Sequence, residues 1–366
     1  MRIAHLDTGR DWRGGQGQVL LLMKALAAAG HEQLLLAPKG PLFDRASEAG
    51  LAVERWESRG EIDLRAMLTA RSHLARFSPA IAHLHSAHAH ALGVHAARWA
   101  GIRGVVVARR VDFKVRQNPF SRLKYAWPVD RYVCISEGVR TAMRESGIPE
   151  AKLALVPSGI DLDAVRLEGA APAADLRTVL GLDPGARVIG TVASLAPHKN
   201  HALLLEAAAI VCAADPGVHF AWLGEGSERS ALTRRRAALG LEARVHLLGF
   251  RPDAKPLLRQ FDLFCLSSHL EGLCTSLLDA QALGVPIVAT GVGGVPEVVS
   301  DDASGRLVSA LTPAALAEAL SSAMASPESR ACWRAGGLES VERFSIQRTA
   351  SLTASVYAAV LGREVA

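Results

Sequence analysis

No apolar run in this chain approaches the roughly 20 residues that a helix needs to cross a membrane; Val19–Met23 is typical of those present. A membrane span is therefore not expected. Cysteine is scarce and scattered: Cys134, Cys212, Cys265, Cys274 and Cys332 are odd in number and never form a C-x-x-C pair. That pattern argues against a disulfide framework or a zinc knuckle and fits a reducing cytosol. Low-complexity tracts are missing, and 49% hydrophobic against 21% charged residues argues against a disordered chain. Met1–Asp7 holds one arginine in a short alternating run, which reads as a first strand and not as a signal peptide. A soluble, cytoplasmic protein is the expectation. Missing too is the G-x-G-x-x-G register of a dinucleotide-binding dehydrogenase, since Gly14, Gly15 and Gly17 are spaced differently.

What is present is a long alternation of short apolar runs and helical stretches. The 366 residues exceed one ordinary domain and suit two of about 150–180. Seven candidate strands fill the first half: Ile3–Leu6, Gln33–Ala37, Ala52–Arg55, Ile81–His85, Gly104–Ala108, Tyr132–Ile135 and Leu153–Val156. Six fill the second: Val188–Ser194, Val218–Leu223, Val245–Leu248, Leu263–Leu266, Pro286–Thr290 and Arg306–Val308. Strands alternating with helices predict parallel sheets covered on both faces, and thirteen strands are too many for one compact sheet. An α/β fold with two doubly wound, Rossmann-like domains follows. The turn cluster at 157–161 and the small residues of 169–174 place the boundary near 157–172, giving domains 1–165 and 166–345. Ligands of open α/β sheets bind beyond the carboxyl ends of the strands, so a cleft between the domains is the expected site.

Charge is concentrated. Residues 1–165 hold 23 basic and 16 acidic side chains, the remainder 18 and 20. Residues 98–131 alone carry nine basic and two acidic residues, with Phe113, Phe120, Tyr125 and Trp127 among them. Such a segment suits an anionic partner, an acidic membrane surface in particular, or is simply a solvated basic face.

The most informative stretch runs from Ser267 to Pro286. A strand ends at Leu266, Glu271 lies in the loop, and Thr275 is a good N-cap for a helix from about Ser276 to Leu283, stopped by Gly284. Backbone amides over 274–277 and the positive helix end suit a phosphate or diphosphate. Glu271 and Asp279 then bracket the anion as acceptors for sugar hydroxyls.

With the tail Thr290-Gly-Val-Gly-Gly-Val-Pro-Glu-Val-Val299, this stretch resembles the retaining glycosyltransferases of family 4 (group 1), which have the GT-B fold, two domains facing across a cleft. Their E-x7-E signature stands here as Glu271-x7-Asp279. The resemblance implies that Glu271 contacts donor-sugar hydroxyls and that Asp279, one methylene shorter than the family's Glu, holds the nucleotide ribose. It implies that Lys199, in Gly190–Asn200, sits on the donor diphosphate, with Ser194 where relatives carry an arginine. Gly14, Gly15 and Gly17 match the family's first loop, against donor phosphates and acceptor. His85 matches its histidine at a strand end near the substrate. Arg109 and Arg110 stand about where many members have a histidine; Arg110 is expected to bind phosphate in place of the arginine missing at Ser194. Phe250 and Arg251 match the loop near the base, and Gly224 a substrate-side loop. The C-terminal stretch 346–366 is expected to form a helix crossing back to the first domain.

A further run of histidines, Ala82-His-Leu-His-Ser-Ala-His-Ala-His90, offers metal-binding atoms, yet no acid or cysteine accompanies them, and no metal is expected. The implied function is retaining transfer of a hexosyl-type unit from a nucleotide-diphosphate sugar to a glycan or lipid-linked acceptor, in lipopolysaccharide or other cell-surface synthesis. The catalytic set is Glu271, Lys199, His85 and Arg110. The donor site adds Asp279, Cys274, Thr275, Ser276, Ser194, Phe250, Arg251 and Gly224. No cofactor, metal or nucleic acid is expected. Peripheral contact with the inner membrane face through residues 98–131 is. The competing readings are a non-catalytic sugar-nucleotide-binding regulator and a GT-B sugar-nucleotide epimerase.

Overall fold

The computed structural model describes residues 1–111, 115 and 119–362, without the side chains of 119–122. Asp112, Phe113 and the Phe120 side chain, part of the basic segment above, lie outside the described residues.

Among the described residues thirteen strands form where short apolar runs predict them. The first seven are β1 (Arg2–Leu6), β2 (Glu32–Ala37), β3 (Ala52–Arg55), β4 (Ile81–Leu84), β5 (Gly104–Arg109), β6 (Arg131–Cys134) and β7 (Leu153–Leu155). The others are β8 (Arg187–Val192), β9 (Val218–Leu223), β10 (Val245–Gly249), β11 (Leu263–Leu266), β12 (Ile287–Thr290) and β13 (Arg306–Val308). They make two parallel sheets, ordered β3-β2-β1-β4-β5-β6-β7 and β10-β9-β8-β11-β12-β13. Central strands such as β4, β11 and β12 are buried at every residue, as expected of parallel strands covered on both faces.

Several helices begin where a short polar side chain accepts an orphan amide. Asp63, Ser86, Ser136 and Asp161 each accept from the backbone N–H three residues on. The two sheets share a second device. Asp130 Oδ2 accepts from Val105 N at 2.6 Å and Arg98 Nη2 at 2.7 Å. Asp262 Oδ2 accepts from Val188 N and Arg177 Nη2, both at 2.7 Å. In each sheet one carboxylate ties the start of a strand to an arginine from outside it.

The chain divides into two compact units, Met1–Gly159 with Ser345–Ala366, and Ile160–Phe344. The division falls a few residues before the 165/166 boundary suggested by turn chemistry, because Ile160 N already donates to Phe344 O at 2.9 Å. The last helix, Ile346–Val360, belongs to the first unit: Tyr357 is fully buried there in one cluster with Ile3, Leu22, Ile81, Val106 and Val133. The second unit has its own core, centred on Phe220, Trp222, Leu204, Leu263 and Val288.

Gly190 of β8 fixes a tight contact in that second unit, since a Cβ there would lie 2.0 Å from the Phe261 ring. Gly190→Ala is expected to destabilise the second unit by about 1–3 kcal/mol, read as a lowered urea midpoint of its unfolding transition.

Candidate active site

Both sheets reverse their strand order at one place, between β1 and β4 in the first and between β8 and β11 in the second. Strand ends splay apart at such a point, and the loops leaving them in opposite directions form a natural binding crevice. His85 follows β4 at the first reversal, and Lys199 and Glu271 follow β8 and β11 at the second.

In the second unit, Lys199 ends the short turn Pro197–Lys199 after β8, and Glu271 lies in the loop after β11. Lys199 Nζ donates to Glu271 Oε2 at 2.5 Å, with only 12% and 11% of the two side chains exposed. Ser268 Oγ donates to the same carboxylate oxygen at 3.2 Å, and Ser267 Oγ to Lys199 O at 3.0 Å. The Lys199 ammonium also approaches Cys274 Sγ at 3.7 Å. Burial alone would depress the lysine's pKa, but Cys274 and Glu271 outweigh it and hold the ammonium above its ordinary range. Gly294 N, from the glycine-containing tail, donates to Glu271 O at 3.0 Å and fixes the loop from the other side.

The helix after Glu271 spans Thr275–Ala282, so Cys274 and not Thr275 is its N-cap. Cys274 makes no side-chain cap; its sulfur meets Ser276 Oγ at 3.2 Å instead. Leu277 N donates to Cys274 O, so Thr275 and Ser276 are the residues at the helix's leading end. Thr275, Ser276 and Asp279 are half-buried and share one helical face, while Leu277, Leu278 and Ala280 pack inward. Among the described residues no hydrogen bond reaches the Asp279 carboxylate. Burial pushes its pKa up to about 6, the nearby Lys255 opposing and Glu168 adding to the rise.

The remaining donor-side candidates follow β8, β9 and β10. Ser194 is exposed. Gly224 has φ +146° and donates to Gly249 O at 2.8 Å; a Cβ on it would meet Ala193 O at 1.9 Å, so only glycine fits. Phe250 is 71% exposed at the end of β10. Arg251 is held by a two-pronged pair with Asp253, at 2.7 and 2.6 Å.

In the first unit, Gly14, Gly15 and Gly17 lie inside the first turns of the helix Gly14–Ala28, not in the loop before it. Arg13 is its N-cap and supplies no side-chain acceptor. Arg110, just past β5, lays its side chain against this helix start: a Cβ on Gly15 would be 3.8 Å from Arg110 Cδ. Burial lowers the Arg110 guanidinium to about 10, opposed by Asp7 and Tyr357, so it stays charged at neutral pH. Arg109 points elsewhere, donating to Tyr125 OH at 3.1 Å.

His85 follows β4 and is 6% exposed. It stands with His83, weighed above only as part of the histidine run, and with His5, which no motif touches. His5 and His83 are register partners on β1 and β4, and period two puts His83 and His85 on one face. His5 Nδ1 lies 3.0 Å from His85 Nε2, and His83 Nδ1 lies 2.6 Å from Tyr357 OH. Burial lowers His5 to about 4 and holds His83 and His85 well below the ordinary imidazole range, helped by Arg110. Ligand-capable nitrogens of the three lie within 4.8 Å of one another, but a shared ion would have to break one of the two hydrogen bonds that His5 makes and sit near the Arg110 charge.

Asp7, directly after β1, was also missed; an acid at the end of a first strand was the available signal. It is 1% exposed, and its Oδ1 accepts from Gly9 N at 2.6 Å and Gln16 Nε2 at 3.2 Å. Burial raises its pKa. The sequence does spell one D-x-D, Asp161-Leu-Asp163, but Asp161 is spent on capping the helix Leu162–Gly169.

Residues 173–339 match the family described as glycosyl transferases group 1, and residues 12–164 match glycosyltransferase family 4. The chain belongs to the group 1, family 4 glycosyltransferases. This member of the family is similar to the D-inositol 3-phosphate glycosyltransferase of Segniliparus rotundus, 35% identical over 222 residues, or 59% of this chain and 49% of the relative. It is also similar to the UDP-Gal:alpha-D-GlcNAc-diphosphoundecaprenol alpha-1,3-galactosyltransferase of Escherichia coli, 27% identical over 67% of this chain and 66% of the relative. The alignments thus span about half to two thirds of these relatives' own length. HepE of Anabaena, solved with UDP and glucose, has the same GT-B fold, with a TM-score of 0.85 at 19% identity over 98% of this chain and 100% of HepE.

Asp279 gives this site a pH signature. The folded protein holds its proton up to about pH 6, the unfolded chain only to about 3.8, so stability falls as pH rises through that window and the cost persists above it. Asp279→Asn is expected to stabilise the protein by about 1–3 kcal/mol at pH 7.5 and not at pH 3.5, as measured by urea denaturation at both pH values.

Proposed function

We propose that this glycosyltransferase moves a hexosyl unit from a nucleotide-diphosphate sugar to a hydroxyl acceptor with retention at the anomeric carbon, using neither metal nor other cofactor. The observation that carries the reading is the buried Lys199–Glu271 pair beside the start of helix Thr275–Ala282, at the strand-order reversal of the second unit.

The pair suits a donor through one exchange. When a diphosphate arrives, Lys199 trades the Glu271 carboxylate for phosphate oxygens, and Glu271 is released to accept from the sugar hydroxyls. A buried pair is costly to break unless each partner finds a new one; a nucleotide sugar supplies both. The leading end of the helix, Cys274 to Ser276, adds amides and a positive helix end to the diphosphate. Asp279, without a hydrogen-bond partner among the described residues, takes the ribose, and exposed Phe250 stacks on the base. Arg251, Gly224 and Ser194 shape the donor pocket around them.

The transfer breaks the bond between the anomeric carbon and phosphate oxygen and forms one to the acceptor oxygen. The acceptor's proton passes to the leaving phosphate on the same face, and Lys199 offsets the charge that develops there. In the first unit, His85 contacts the sugar, and Arg110 with the Gly14–Gly17 turns meets phosphate or an anionic acceptor; Arg109, turned toward Tyr125, has no place in this set.

The substrates in the relatives' names support this reading: a phosphorylated polyol for one, UDP-Gal and a lipid-linked diphosphate sugar for another. A glycan or lipid-linked acceptor of cell-surface synthesis, of the lipopolysaccharide kind, fits the second. No helix among the described residues is long and apolar enough to cross a membrane. Contact with an acidic inner membrane face through residues 98–131 rests on their charge, part of which is engaged within the protein. Arg98 pairs with Asp130 and Lys124 with Glu61, while Arg131 donates to Asp130 O.

Thermal stabilisation by UDP-, GDP- and ADP-sugars with EDTA present tests the donor assignment. One sugar nucleotide is expected to raise the melting temperature, and Glu271→Gln and Lys199→Met to abolish that shift and lower kcat by about a hundredfold or more. No shift with any donor would overturn the reading; a shift without turnover on any acceptor would favour a binding protein.

A further inference from the structure

Beside His85 lies a chain of polar contacts that no catalytic role has absorbed. Gln33, 6% exposed in β2, donates through Nε2 to Met23 O at 2.7 Å and faces His5 Nε2 with Oε1 at 3.0 Å. His5, fully buried in β1, faces His85 Nε2 with its Nδ1 at 3.0 Å. The His85 Nδ1 atom is buried and has no partner among the described residues.

The direction of every proton in this chain follows from its far end. A backbone carbonyl only accepts, so the atom Gln33 turns toward Met23 is its NH2 group, and its carbonyl oxygen faces His5. That oxygen also only accepts, so His5 Nε2 carries a proton. A neutral imidazole has one N–H, which leaves His5 Nδ1 bare. His85 Nε2 must then donate to it, and the second lone pair of the chain appears on His85 Nδ1.

We infer that Gln33 and His5 are positioning residues that lock His85 with Nε2 protonated and Nδ1 bare, so that His85 meets a substrate hydroxyl only as a hydrogen-bond acceptor. The inference rests on the proposed placement of His85 at the substrate. It adds a selection rule: a hydroxyl donor is accepted at this position, and a group offering only lone pairs, such as a carbonyl or ether oxygen, is refused.

The surroundings keep both imidazoles neutral. His5 lies near 4 through burial, and Arg110, His83 and Tyr357 border the cluster, with Asp7 acting on Arg110. The Arg110 charge favours an electron pair and not a second N–H on the side of His85 it faces.

The test begins with the unsubstituted protein, uniformly labelled with 15N-histidine, in long-range 1H–15N correlation spectra at pH 7.5. His5 and His85 are both expected as the tautomer with protonated Nε2 and bare Nδ1. Either histidine in the opposite tautomer overturns the relay. Gln33→Met removes the oxygen that sets the direction. It is expected to introduce the Nδ1–H form of His85 and to lower kcat/KM about ten- to a hundredfold with the donor that stabilises the protein. Tautomers that change while kcat/KM does not would overturn the role in recognition. The spectra need no activity, so a protein that transfers no sugar would defeat the functional reading and still report on the relay.

Discussion

Each sheet reverses its strand order once, and the chemistry of each unit depends on that reversal. Parallel strands force their connections onto the faces of the sheet, and only where two neighbouring strands send their chains to opposite sides does a gap open at the strand ends. β1 and β4 open one such gap, β8 and β11 the other. Asp7, His5 and His85 crowd the first; Lys199 and Glu271 share the second.

The two gaps handle their polar groups in opposite ways. In the second unit a cation and an anion neutralise each other at contact distance, and Ser267, Ser268 and Gly294 pin the loops that carry them. In the first unit burial strips three imidazoles of charge and raises the pKa of the Asp7 carboxyl, while one guanidinium stays charged because arginine holds its proton even when buried. Ion pairing stores charge ready for exchange; buried neutral imidazoles store direction, since each fixes which nitrogen its neighbour protonates.

How far the sequence discloses this differs from one feature to the next. The strands are legible because a parallel strand buried on both faces needs an unbroken apolar run, and runs such as Ile81–Leu84 have few other homes. The second-unit residues are legible through a dense local motif, Glu271 to Asp279, spanning one loop and one helix. The contact between Glu271 and Lys199 is not, because it joins two loops 72 residues apart in sequence and depends on β8 and β11 being neighbours. The start of the helix at Thr275 shifts by one residue because Cys274 adopts the extended backbone of a cap without offering a cap's side chain. Gly14 to Gly17 read as loop because glycine disfavours helix, yet the buried face of Gln18, Val19, Leu22 and Met23 carries the helix back over them. His5 is hidden for a plainer reason: inside a strand it resembles any other inward residue, and only its pairing with His83 on β4 brings the imidazoles together.

The path of the chain has a consequence for the order in which the protein can be completed. The second unit is one unbroken stretch, Ile160–Phe344, whereas the first draws on both ends of the chain. Tyr357 and its helix fill a core whose other walls are Ile3, Ile81, Val106 and Val133. During synthesis, therefore, the first seven strands emerge early but must wait with that wall open until the last helix is made. The unit encoded second has all its parts first, and the unit encoded first is finished last, which inverts the usual N-to-C order of domain folding on the ribosome.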